Sequence, residues 1–126
     1  MPNAVVLYVA AALTAVWGAA HLFATRGVVA GFGDVSADNK RTITMEWIVE
    51  GVALLFIAMF VAIATAIDAS SAVSIGVYSV AIIFLLTLAV VSLFTGFRVA
   101  LLPFRLCPFI FGLSALLILW GGIISP

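Results

Sequence analysis

TITMEWIVEGVALLFIAMFVAIATAI, residues 42–67, carries two acids near its start and no charge from Gly51 onward. A run of this kind exceeds the ~20 apolar residues needed to cross ~30 Å of hydrocarbon, so it reads as a membrane-spanning helix. Three further runs surround it: about Ala4 to Ala24, about Ala69 to Phe97, and about Phe104 to Ile124. None has the strict alternation of a membrane-barrel strand. The chain is therefore expected to be all-α, an integral membrane four-helix bundle in up-down-up-down order, forming one domain over residues 1–126.

Composition points the same way. Hydrophobic residues are 67% of the chain and charged residues 8%, against roughly 45–50% and 25% in soluble domains. A net charge of zero gives no reason to expect a nucleic-acid partner. A single cysteine, Cys107, excludes an intramolecular disulfide and any Cys-x-x-Cys site. The run Ala4 to Ala20 has no Lys or Arg before it and is followed by His21, Leu22 and Phe23. That is a poor cleavage site, so the run is expected to be a retained first helix.

The connections set the orientation. Thr25 to Arg41 is expected to be a long polar loop, with Asp38 as the N-cap of an early second-helix turn. Asp68 to Ser71 reads as a tight turn, with Asp68 or Ser70 capping the third helix. Arg98 to Pro103 joins the third and fourth, and Pro103 and Pro108 fit near a helix start. Along this path Arg26, Lys40, Arg41, Arg98 and Arg105 all fall at one end, with Asp34, Asp38, Glu46 and Glu50; only Asp68 lies at the other. Basic residues in short loops mark the cytoplasmic side. The expected location is the cell membrane, multi-pass, with loop 25–41 cytoplasmic and both termini outside.

Glu50 is the residue that orientation does not require. Counted from Thr42 at 1.5 Å per residue, it lies about 12 Å along the helix. An unpaired carboxylate there costs ~2.5–3.5 kcal/mol on an insertion scale. It must be protonated, paired or facing a wet cavity. Glu46 is one turn earlier on the same face. On the first helix Thr14, Trp17, His21 and Thr25 form one stripe; on the third, Thr87, Phe94 and Arg98 share a face. The bundle could thus aim His21, Glu46, Glu50 and Arg98 into one cytoplasm-facing pocket walled by Trp17 and Trp47.

Each has a plainer role. Arg26, Arg98 and Arg105 suit snorkelling anchors, and Trp17 and Trp47 suit the interfacial belt. His21 could stabilise its helix end, Glu46 could be solvated among headgroups, and Glu50 could pair an arginine. His21, Glu46 and Glu50 resemble a facial triad for a transition ion, but carboxylates at this spacing are common in helices, and no metal is assigned. One histidine excludes bis-histidine haem ligation within a monomer. Cys107 reads as a buried or interfacial thiol rather than a nucleophile. Gly31-Phe32-Gly33-Asp34 lacks the preceding strand and third glycine of a dinucleotide loop.

The segments Gly18-Ala19-Ala20-His21-Leu22 and Met45-Glu46-Trp47-Ile48-Val49-Glu50-Gly51 give the chain a resemblance to the small four-helix bacterial membrane proteins called DoxX-like. Some of those are associated with quinol oxidation or redox complexes, and that is what the resemblance implies. The absence of paired cysteines departs from any thiol-redox version, and no catalytic residue is carried over. The expected function is a binding or accessory subunit for a lipophilic, quinone- or lipid-like molecule at the polar end, with the bilayer as solvent and homo-oligomers possible. The alternatives are a structural bundle whose polar cluster fixes helix register, and a proton or cation transport subunit, although no helix is visibly broken at the midplane. Neither an enzymatic reaction nor a cofactor is assigned.

Overall fold

The computed structural model describes residues 1–125. Four long helices run α1 (Ala4–Gly31), α2 (Ala37–Asp68), α3 (Ala72–Phe94) and α4 (Leu102–Leu119), with a 3-10 turn at Gly96–Arg98 and a π-helical turn at Trp120–Ile124. All four are long and apolar enough to cross a membrane, α4 when taken through to Ile124. Consecutive helices are neighbours and α4 returns against α1; across the diagonals only side chains meet, as Trp47 of α2 meets Phe104 of α4. This is the expected up-down-up-down bundle.

The helix ends differ from expectation. α1 continues to Gly31 and α2 begins at Ala37, so residues 32–36 alone connect them, and the long loop 25–41 is mostly helix. The apolar pattern stops before the helices do. The last turns of α1 and the first turn of α2 need no hydrocarbon, and 28 and 32 residues at 1.5 Å each exceed the ~30 Å of the bilayer core. Ser36, not Asp38, caps α2, its hydroxyl accepting from the Asn39 amide at 3.2 Å. Asp38 instead makes an exposed contact with Arg41 at 3.3 Å, of little energetic consequence. Ser71, not Asp68 or Ser70, caps α3, accepting from the Ser74 amide at 3.1 Å. α3 also stops at Phe94 rather than Phe97, and Pro108 lies inside α4 rather than at its start. There it removes the amide that would bond the Phe104 carbonyl.

Leu7, Ala10, Leu54, Val61, Tyr78, Leu85, Phe111 and Ile118 are among the core side chains, while large apolar side chains such as Val16, Phe23, Phe60 and Leu116 point outward. A bundle apolar on both faces has a lipid exterior as its natural environment. The termini meet at one end: Asn3 donates its amide to the Gly121 carbonyl at 2.7 Å.

α1 and α2 pack most closely, α3 and α4 next, and α2 and α3 share the thinnest seam besides the terminal turns. The tightest point is glycine on glycine. A Cβ on Gly18 would sit 2.8 Å from the Gly51 carbonyl oxygen, and one on Gly51 would sit 2.9 Å from the Gly18 oxygen. Close backbone approach through small residues is how membrane helices gain packing contact. This crossing positions the α1 and α2 side chains of the site.

Candidate functional site

His21 follows Gly18 by about one turn, while on the facing helix Glu50 immediately precedes Gly51 and Trp47 lies one turn before it. The glycine crossing therefore brings these three side chains together. His21 is 1% exposed. Its Nδ1 lies 2.9 Å from the Trp17 carbonyl oxygen. A carbonyl can only accept, so in the neutral ring Nδ1 carries the proton and Nε2 holds a lone pair. That lone pair has two neighbours: the Glu50 carboxylate at 3.7 Å and the Cys107 sulfur at 3.9 Å.

Both contacts are long. The 3.7 Å separation between Nε2 and Glu50 exceeds hydrogen-bond length, and the nitrogen–sulfur separation is at the outer limit for a thiol. One ligand atom from each of His21, Glu50 and Cys107 lies within 4.8 Å of the others. They surround a common point rather than bonding in pairs.

An aromatic column closes the loop side. Trp47 stacks on His21 with ring centroids 4.3 Å apart and planes at 25°. Phe104 lies against Trp47 at 4.9 Å, and Phe32 meets Phe104 edge-on at 5.7 Å. Trp17 flanks His21 edge-on at 5.6 Å. The indole nitrogens of Trp17 and Trp47 are buried and without a hydrogen-bond partner among the described residues. A buried unpaired donor is costly, and of the two only Trp47 lines a cavity on the α2/α3 side.

A cavity of about 330 Å³ opens on the α2/α3 side, lined by Glu46, Trp47, Glu50, Ser92, Thr95 and Cys107 among others. A second, of about 570 Å³, is lined by Ile57, Phe60, Val73, Gly76, Val77, Val80, Ala81 and Phe84. Phe84 borders both. Together they run along the thin α2/α3 seam, polar at the charged end and apolar beyond it.

Of the residues expected in a pocket, His21, Glu50, Trp17 and Trp47 do converge. Glu46 is exposed and lines only the cavity rim. Arg98 does not join them, and no ion pair links it to either glutamate among the described residues. The helical face through Thr87, Phe94 and Arg98 is exposed throughout, and α3 ends before Arg98, which sits in the 3-10 turn. Arg105 also stays outside, donating to the Val99 carbonyl at 3.3 Å. By contrast, the stripe Thr14, His21 and Thr25 is buried, as its spacing predicts.

Cys107 was expected to be buried, and it is, at 3% exposed. Its place in the cluster was not expected, because it comes from a helix 86 residues away from His21. Its offset of three residues from Phe104, the other inward side chain of that turn, is the one local signal. No family model, no curated protein and no solved structure matches the chain.

Proposed function

We infer that the protein binds an amphipathic, lipid-soluble molecule in the α2/α3 groove, its oxygen-bearing head at the Glu50 end and its tail along Ile57, Phe60, Val77 and Phe84. The observation that carries this reading is the graded groove itself: two cavities along one seam with Phe84 as a shared wall, polar at one end and apolar at the other. Their sizes lie within the ~300–1,000 Å³ of small-molecule sites. The groove faces the lipid side of the thinnest seam, so a membrane-dissolved molecule enters without crossing water. The unpaired Trp47 indole donor and the Glu50 carboxyl group suit a head with carbonyl or hydroxyl oxygens, as quinones and diacyl lipids both have. The DoxX-like resemblance favours the quinone.

The polar end lies at the cytoplasmic face in this reading. Arg26, Lys40, Arg41, Arg98 and Arg105 all belong to the helix ends and turns on that side, and positive residues mark the cytoplasm. The chain then serves as a binding or accessory subunit of the cell membrane.

The test uses metal-free protein in detergent. A short-chain quinone is expected to quench Trp17 and Trp47 saturably, and Glu50→Gln is expected to weaken that binding about tenfold, equivalent to ~1.4 kcal/mol. Diacylglycerol that displaces the quinone competitively would identify a lipid as the natural occupant. If Glu50→Gln lowers thermal stability while leaving quenching unchanged, the glutamate only fixes helix register and the binding reading fails.

A further inference from the structure

We propose that His21, Glu50 and Cys107 form a binding site for a divalent transition ion of borderline softness, with Zn2+ as the best match. The proposal goes beyond ligand binding in the groove and does not rest on it.

The donor set is the first argument. Imidazole nitrogen, carboxylate oxygen and thiolate sulfur together suit zinc-class ions rather than Mg2+ or Ca2+, which take oxygen ligands. Three protein ligands with a fourth position left open is the arrangement of non-structural zinc sites. The set differs from the one the sequence suggests, because Cys107 stands where Glu46 was considered.

Geometry is the second argument. Zinc bonds of ~2.0–2.3 Å in a tetrahedron separate ligand atoms by about 3.3–3.6 Å. The His21 edges, at 3.7 Å to Glu50 and 3.9 Å to Cys107, need to close by only a few tenths of an ångström. The Glu50–Cys107 edge is at most 4.8 Å. Glu50 is the one partly exposed ligand, its side chain 28% accessible, so its torsions are free to close that edge.

Orientation and charge are the third. The Nδ1 proton is fixed on the Trp17 carbonyl, so the metal-binding Nε2 lone pair is presented toward the other two ligands; metal-bound histidines are held by their other nitrogen in this way. A carboxylate and a thiolate together cancel a 2+ charge, and a neutral complex avoids the cost of burying net charge in an apolar bundle. Binding displaces the Cys107 thiol proton to solvent. Glu50 and Cys107 both line the 330 Å³ cavity, so the fourth position opens onto it.

The experiment strips the detergent-purified protein with a chelator and titrates it with Co2+. One equivalent is expected to bind, with a sulfur-to-cobalt charge-transfer absorption that Zn2+ abolishes by competition. Cys107→Ser should remove that absorption and weaken binding by at least the roughly 10–100-fold that outer-shell changes alone can cost. Glu50→Gln should weaken binding to a similar degree while retaining the sulfur band. Folding of both near-isosteric variants is checked by circular dichroism and elution volume. Absence of the charge-transfer band in the wild type, or unchanged cobalt affinity in Cys107→Ser, overturns the proposal.

Discussion

Gly18 and Gly51 hold His21 within reach of Glu50, because hydrogen alone fits between the α1 and α2 backbones at their crossing. A Cβ on Gly51 would lie 2.9 Å from the His21 Cβ as well as from the Gly18 carbonyl. Neither atom is the free end of a flexible side chain, so the helices must move apart. Gly51→Ala is therefore expected to destabilise the bundle by about 1–3 kcal/mol, the usual cost of overpacking, and to weaken ligand binding with it. Gly27 has nothing within 4 Å of its added Cβ, so Gly27→Ala should be neutral or stabilising by up to ~1 kcal/mol. Thermal unfolding of both variants in detergent separates them. The sequence exposes both glycines beside chemically distinctive neighbours, but their mutual contact depends on helix rotation, which apolar periodicity leaves undetermined when a helix is apolar all round. Cys107 was hidden for the same reason. Arg98 stays out for another: α3 ends at Phe94, so the helical spacing that would align Arg98 with Thr87 and Phe94 does not reach it.

Between elements, the α2/α3 seam has its firmest polar tie far from the groove's charged end. The Thr65 hydroxyl donates to the Val61 carbonyl at 2.7 Å, so the 2.9 Å contact with Tyr78 is donated by the tyrosine. Ser74 adds a bond from its hydroxyl to the Asp68 carbonyl at 2.6 Å, with the Ala64 carbonyl 3.1 Å away. These contacts clamp α2 to α3 near their short turn, and the polar cavity opens toward Glu50. A double-mutant cycle of Thr65→Val and Tyr78→Phe is expected to give a coupling of about 0.6 kcal/mol, typical of hydrogen bonds between membrane helices. Thermal unfolding of the four proteins measures it. A coupling indistinguishable from zero would remove the tie from the account. Helix existence was legible in the four apolar runs. The end of α1 and the start of α2 were not, because these turns emerge from the apolar layer and carry Arg26, Lys40 and Arg41, which resemble loop residues by composition alone.

At the scale of the whole molecule, the bundle separates its two ends chemically: chain termini and Asp68 at one, every lysine and arginine at the other. With the charged end in the cytoplasm, Asn39→Cys should resist a membrane-impermeant maleimide in intact cells and react once the membrane is opened, whereas Ser70→Cys should react from outside. Native Cys107 is buried and should contribute little background. The reverse labelling pattern would invert the topology while leaving the groove in place. The central claim is the groove, and photolabelling with an azido-quinone tests it most directly. The account predicts label concentrated on Phe60, Val80, Phe84 and Leu88, suppressed by excess unlabelled quinone. Label spread over the outward residues Val16, Phe23 and Leu116, and insensitive to competitor, would contradict it.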